Sequence, residues 1–151
     1  MRVVAQRAAS GSVSWDGGSA TVGHGFVLLV GAGGDDDEAA VQRLADKIID
    51  LRVFGDEAGR MNLSLVDVKG AALIVSQFTL FADMSRGRRP SLLKAGDPAR
   101  AEQLYEVFVQ RFRERGIHTE TGSFGAVMRV DIANDGPVTL VLSTDDWMTR
   151  V

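Results

Sequence analysis

Residues 71–90 constrain this chain more than any other stretch. They run from Ala71-Ala72-Leu73-Ile74-Val75 through Ser76-Gln77-Phe78-Thr79-Leu80 to Arg86-Gly87-Arg88-Arg89-Pro90. An unbroken apolar run rich in branched side chains predicts a strand covered on both faces. Such a strand needs a neighbour on each side and a packed layer above and below. Its far end then turns polar without a break. If the extended conformation continues, alternation puts Gln77 and Thr79 on one face and Phe78 and Leu80 on the other. The basic run follows: Arg86, Arg88, Arg89 and Lys94 fall within nine residues. Arginine forks match phosphate oxygens in shape and charge. A solvated loop at a strand end explains the same cluster without a ligand, and pattern does not separate the two readings.

The rest of the chain supplies neighbours for that strand. Residues 2–7 and 10–15 read as two strands, and Asp16-Gly17-Gly18 is a hairpin turn that returns residues 19–22 antiparallel. Gly23-His24-Gly25 reads as another turn, before a strong apolar strand over 26–30. Gly31-Ala32-Gly33-Gly34 lacks both the dinucleotide spacing and the lysine of a nucleotide loop. The acids that follow, Asp35 to Glu38, would repel phosphate and suit the start of a helix instead. That helix is expected over 38–54, with Val41, Leu44, Ile48 and Leu51 as its apolar stripe and Gly55 as its stop. A short strand is expected from Met61. Asp97-Pro98 opens a second helix that runs to about residue 115 and buries Ala101, Leu104, Phe108 and Phe112, with Tyr105 beside them. Residues 117–121 suggest an edge strand. Residues 126–133 alternate, with Met128, Val130 and Ile132 on one side. Asn134-Asp135-Gly136-Pro137 reads as a turn before a last strand over 138–143. The helices do not read as alternating with strands in repeated βαβ units. The expected fold is therefore α/β, a single domain over 1–151. Its curved mixed or antiparallel sheet is barrel-like, with two main helices packed against it.

Composition removes several chemistries. The 151 residues include no cysteine, so thiolate nucleophiles, disulfides and cysteine metal sites are excluded. The histidines, His24 and His118, fall in a turn and after a helix stop, and make no triad or metal spacing. Asp67 and Asp83 flank the central strand without an acidic partner, so no carboxylate pair is indicated. A net charge of −3 confines any nucleic-acid contact to a local patch. Neither a signal peptide nor a membrane-spanning stretch is recognisable, and the expected location is cytoplasmic.

Two separated motifs carry a family likeness. Ser76-Gln77-Phe78-Thr79-Leu80 with Arg86-Gly87 and Arg89-Pro90-Ser91 is the first, and Asn134-Asp135-Gly136-Pro137-Val138-Thr139 is the second. Together with Gln6-Arg7, Gly59-Arg60-Met61-Asn62-Leu63 and Thr121-Gly122-Ser123-Phe124-Gly125 plus Met128, they resemble the D-aminoacyl-tRNA deacylase (D-tyrosyl-tRNA(Tyr) deacylase) family. The likeness runs from Arg2 to about Leu142 and leaves out the last residues, including Trp147. It implies hydrolysis of the ester joining a D-amino acid to the 3'-terminal adenosine of tRNA, and clearance of mischarged glycyl-tRNA(Ala). It implies no metal and no organic cofactor. It also implies a homodimer with the active site at the interface, where a cis glycine-proline pair enters the partner's pocket. By resemblance, Ser76, Gln77, Phe78 and Thr79 are catalytic, and Gly136 and Pro137 select chirality. Arg7, Arg86, Arg88, Arg89 and Met128 contact the substrate or its tRNA.

The residues add a chemical reading to the resemblance. Backbone N–H groups of Gln77 and Phe78 are the expected donors to the ester oxygen. Nothing near Thr79 in sequence takes its proton, so its expected role is positioning. The resemblance implies that the ribose 2'-hydroxyl assists a water. Two other readings stay open at this level: an RNA-binding or scaffold protein of the same fold, and a general ester or nucleotide hydrolase.

Overall fold

The computed structural model describes residues 1–85 and 87–145. Its sheet is built on one long strand, β1 (Arg2–Trp15). Along one side runs β8 (Met128–Ser143), antiparallel for the whole length. Along the other side lie β2 (Gly18–Val22), paired to residues 11–15, and β3 (Gly25–Gly31), paired to residues 2–8. Residues 2–15 are thus one strand where the sequence suggested two. A register shift between Ala8 and Ser10 turns the strand over, so that Val13 shares a face with Ala8 and not with Val3 and Ala5. Gly23-His24-Gly25 does not reverse the chain either. Both β2 and β3 run antiparallel to β1, so the link between them steps along the same direction.

The other half of the sheet corrects a larger expectation. β6 (Ala71–Ser76) pairs parallel to β3, and β7 (Thr119–Thr121) pairs parallel to β6. Helix α1 (Glu38–Ile49) lies between β3 and β6 in the chain, and α2 (Pro98–Glu114) between β6 and β7. Two βαβ crossovers are therefore present, and parallel strands need such crossovers. The first is masked in sequence by a small hairpin, β4 (Phe54–Gly55) and β5 (Met61–Leu63), inserted after α1. The sheet is mixed, and β2 approaches β6 and β7 so that it nearly closes into a barrel.

Both helices begin where their caps predict. The Asp37 carboxylate accepts from Ala40 N–H at 2.7 Å, and Asp97 accepts from Ala99 and Arg100 at 3.1 Å. Asp36 turns inward instead and accepts from Gly33 N–H at 2.6 Å. Helix α1 ends at Ile49, well short of the expected residue 54. Phe54 is needed in the core, where its ring lies 5.0 Å from that of Phe26, and only an extended β4 delivers it there.

The core has two faces. Phe26, Leu28 and Ile74 meet the helix residues Leu44, Ile48, Leu104, Phe108 and Phe112 on one face. On the other, Ala8, Val13, Val27, Leu73 and Val75 are buried within a half-buried rim of Trp15, Leu29, Met128, Val130 and Ile132. The helix residues belong only to the first face.

Candidate active site

Parallel strands open a crevice at their carboxyl ends, where the chain leaves the sheet for its helices. Here β3 and β6 end side by side at a cavity of about 440 Å³. Its floor is Val30, Gly31, Val75 and Ser76, and its roof is the approach to α2 at Ala95, Gly96 and Pro98. Tyr105, Phe124 and Met128 close the side. The walls are apolar, and the polar groups come from residues 76–78.

The polar end is not a continuing strand. β6 stops at Ser76, and Phe78–Phe81 form a 3₁₀ helix, so the expected alternation fails after Ser76. The Gln77 side-chain amide instead donates to the Thr79 hydroxyl. Gly31 makes the turn possible. A Cβ there would lie 2.7 Å from the Gln77 carbonyl oxygen. Gln77 N–H donates to the Val30 carbonyl at 2.7 Å, so it is already used and does not face a substrate oxygen. This corrects the expected donor pair. In a 3₁₀ turn whose first bond is Leu80 N–H to Gln77, the N–H groups of Phe78 and Thr79 are the ones without an acceptor inside the turn.

Ser76, Gln77, Phe78 and Met128 therefore line the cavity, and Thr79 stands exposed one residue beyond it. Phe78 is 58% exposed, an aromatic face presented at the mouth. Of the lining side chains, Tyr105 alone carries a group that titrates. Its hydroxyl donates to the Ile74 carbonyl at 2.7 Å, and burial pushes its pKa well above the ordinary phenol value. His24 packs edge-on to Phe54, and His118 lies 3.5 Å from Glu120, so neither reaches the cavity. Among the described residues no three His, Cys, Asp or Glu side chains converge as metal ligands.

Arg7, Gly136 and Pro137 form a second group. β8 advances from Asn134 to Thr139 while β1 advances only from Ala8 to Gln6, so residues 135–138 bulge from the ladder. Both halves of β8 pair with β1 in the same direction, so the expected turn is a protruding bulge and no reversal. The Gly136–Pro137 bond is cis, Gly136 has φ 121°, and both residues are exposed. Arg7 supports the bulge from beneath. Its Nε donates to the Asp135 carbonyl at 3.2 Å and lies 3.0 Å from the Asp135 carboxylate, while Nη1 donates to the Val53 carbonyl at 2.5 Å. A Cβ on Gly136 would stand 2.8 Å from Arg7 Nη2. This group sits beside Phe26, at the opposite end of β3 from Val30. At the rise of an extended strand, that separation is about 13 Å.

The basic loop forms a third group. Asp83 and Ser91 exchange backbone hydrogen bonds at 2.8 and 2.9 Å and close the loop at its base. The Asp83 carboxyl is held well below its usual range by Ser85 and then by Lys94, whose ammonium is 3.0 Å away. Arg88 and Arg89 are exposed above this base. Arg86 and Trp147 lie outside the described residues.

Among the cavity residues that the sequence did not mark as part of a site are Tyr105, Gly31 and the Ala95-Gly96 pair. Tyr105 has the helical spacing of a core residue, and only its hydroxyl hinted at a further duty. Gly31 belonged to a glycine run weighed only as a phosphate loop and rejected as one.

Comparison with known proteins agrees with this geometry. The family described as D-Tyr-tRNA(Tyr) deacylase matches residues 4–143. A D-aminoacyl-tRNA deacylase of Fervidobacterium nodosum is 51% identical, over 95% of this chain and 97% of the relative. One from Exiguobacterium sibiricum is 54% identical, over 94% and 99%. A solved structure described as c-Myc DNA unwinding element binding protein superposes with a TM-score of 0.89 at 36% identity, covering 96% of this chain and 99% of that one. A second, described as a probable eukaryotic D-amino acid tRNA deacylase, shares the fold at a TM-score of 0.83 and 16% identity, covering 93% and 97%. Since the family match takes in the ends of β3 and β6, the 3₁₀ turn and the Gly136–Pro137 bulge alike, the chain belongs to the D-Tyr-tRNA(Tyr) deacylase family.

Proposed function

We propose that the chain hydrolyses the ester of D-aminoacyl-tRNA, releasing the free D-amino acid and tRNA. The observation that carries this reading is the Gln77–Thr79 turn at the mouth of an apolar cavity with no side chain that titrates near neutrality. About 440 Å³ lies in the range of small-ligand sites, which suits the terminal adenosine of tRNA. Tyr105, Phe124 and Phe78 offer aromatic surface to its base.

In this scheme a water attacks the ester carbonyl, and the resulting oxyanion accepts from Phe78 and Thr79 N–H. The ribose 2'-hydroxyl orients the water and relays its proton to the departing 3'-oxygen. A side-chain base is not required. Thr79, whose hydroxyl already takes the Gln77 amide, positions the substrate.

Chirality is read by a second copy. The chain's own Gly136–Pro137 bulge lies about 13 Å along β3 from the cavity floor, too far to enter it. The half-buried rim of the second face, with Trp15, Met128, Val130 and Ile132, carries no helix and supplies the surface for dimerisation. The partner's exposed Gly136 and Pro137 would then present backbone to the α-carbon and block an L side chain, while a D side chain points away. Glycine has nothing to clash, so glycyl-tRNA(Ala) is also a substrate. Arg88 and Arg89 engage tRNA phosphates, and Met128 packs against the bound end. The substrate sets the proposed location, the cytoplasm, and the scheme uses no cofactor.

The test is incubation of the pure protein with D-tyrosyl-tRNA and with L-tyrosyl-tRNA, chelator present. Rapid loss of the D ester alone is expected, and equal hydrolysis of both would overturn the reading. The basic loop, together with the likeness to a protein described as binding a DNA unwinding element, favours one rival: a nucleic-acid-binding protein without hydrolysis. Binding of tRNA with both esters intact would support that rival.

A further inference from the structure

The 3₁₀ turn that carries Phe78 and Thr79 is four residues long, too short to hold itself by its own hydrogen bonds. It is held from outside on two sides. On the cavity side Gln77 N–H is bonded to Val30, and Gly31 leaves room for the Gln77 carbonyl. On the far side the Leu80 carbonyl would accept from Asp83 if the 3₁₀ pattern continued, but Asp83 N–H donates to Ser91 at 2.8 Å. The guanidinium of Arg2 supplies the donor. Its Nη1 donates to Leu80 O at 2.8 Å, while Nε and Nη2 donate to one carboxylate oxygen of Asp145 at 3.2 and 3.1 Å. The same group lies 4.3 Å from the centre of the Phe81 ring. That ring presses on Gly33, where an added Cβ would come within 2.8 Å of it. The Arg2 side chain is 14% exposed, so these contacts are largely shielded from water.

We propose that Arg2 is a positioning residue for ester hydrolysis, acting through Leu80 and Phe81 to fix the Gln77–Thr79 turn at the cavity mouth. The proposal rests on the deacylase reading above. Arg2 is not among the cavity's lining residues and reaches the turn only from behind. The planar fork is essential, because it meets a carbonyl, a carboxylate and a ring together. A lysine ammonium has no such plane.

Arg2→Ala and Arg2→Lys test this in the full chain, the lysine variant keeping charge and stem should alanine fail to fold. Amide hydrogen exchange is read at Leu80, Phe81 and Ala82, beside hydrolysis of D-tyrosyl-tRNA. In both variants exchange at these amides should quicken by about tenfold while β3 and β6 stay protected. The value of kcat should fall by about 10- to 100-fold with little change in KM. Millimolar ethylguanidinium should restore Arg2→Ala. Unchanged exchange, or a rate loss that tracks loss of protection across the whole sheet and is not rescued, would overturn the proposal. If the natural chain does not hydrolyse D-tyrosyl-tRNA, the deacylase reading fails by itself. Exchange at residues 80–82 then still decides whether Arg2 holds the turn.

Discussion

Thr79 and Gly31 carry the sharpest residue-scale expectations, one by its hydroxyl and the other by lacking a side chain. Thr79→Ala removes an exposed hydroxyl bonded to the Gln77 amide and no proton acceptor. It should keep substantial hydrolysis, within about tenfold of the natural chain. An aminoacyl ester trapped on Thr79 by rapid quench and mass spectrometry would contradict the positioning role. Gly31→Ala should do far more harm, because its Cβ would meet the Gln77 carbonyl at 2.7 Å and Leu80 and Phe81 at 3.4 Å. A displaced turn should lower kcat by about 100-fold, read by single-turnover hydrolysis. Unchanged activity would mean that the turn does not need its seat on β3. That Ser76 and Gln77 stand at a cavity was suggested by polar side chains at the end of a buried strand, whereas a catalytic role for residues 76–79 was implied only by the family likeness. The donor pair was not. Whether the Gln77 N–H is free depends on Val30, a strand neighbour distant in sequence.

Elements show where local signals suffice and where they fail. Helix starts were legible because Asp37 and Asp97-Pro98 act on the next turn of their own chain. The end of α1 was not, because burial of Phe54 beside Phe26 outweighs helical periodicity. Asn134-Asp135-Gly136-Pro137 has turn chemistry, yet β1 runs on past it and pairs with both flanks, so the segment can only bulge. Helices α1 and α2 are tied by Asp46, which accepts from Arg111 at 2.9 Å and Arg115 at 2.8 Å. Hydrogen bonds from Arg111 and then Arg115 hold the Asp46 carboxyl below its ordinary range. A depressed carboxylate stabilises the fold fully above its unfolded value, near about 3.9, and that share is lost as pH falls through the lowered folded value. Asp46→Asn should therefore cost about 1 kcal/mol at neutral pH and close on the natural chain in acid, by thermal melting at several pH values. A constant difference across pH would contradict it. For the basic loop, Arg88→Ala with Arg89→Ala should weaken tRNA binding and flatten its salt dependence, with melting unchanged, since both side chains are exposed. Equal affinity at two salt concentrations would remove that contact.

At the scale of the whole molecule, the mixed barrel-like sheet with two helices was legible from the count and character of its segments. Its parallel half was not, because β3 and β6 are separated by a helix and a hairpin that hide the βαβ rhythm. The second apolar face was half legible: Met128, Val130 and Ile132 alternate in sequence, but their lying over Val13, Val27 and Leu73 depends on the register shift in β1. The half-buried rim of that face and the distance from bulge to cavity together lead to the central claim, that each site is completed by the other subunit's Gly136 and Pro137. A mixed dimer tests it most directly. One subunit carries Gly31→Ala, which spoils its cavity; the other carries Gly136→Ala with Pro137→Ala, which spoils its bulge. If the bulge acts across the interface, the mixed dimer has one intact site. It should then hydrolyse D-tyrosyl-tRNA at about half the natural rate while sparing L-tyrosyl-tRNA. If the bulge serves its own subunit, the only intact cavity is unguarded, and hydrolysis of L-tyrosyl-tRNA at the rate of the bulge-variant homodimer would contradict the account.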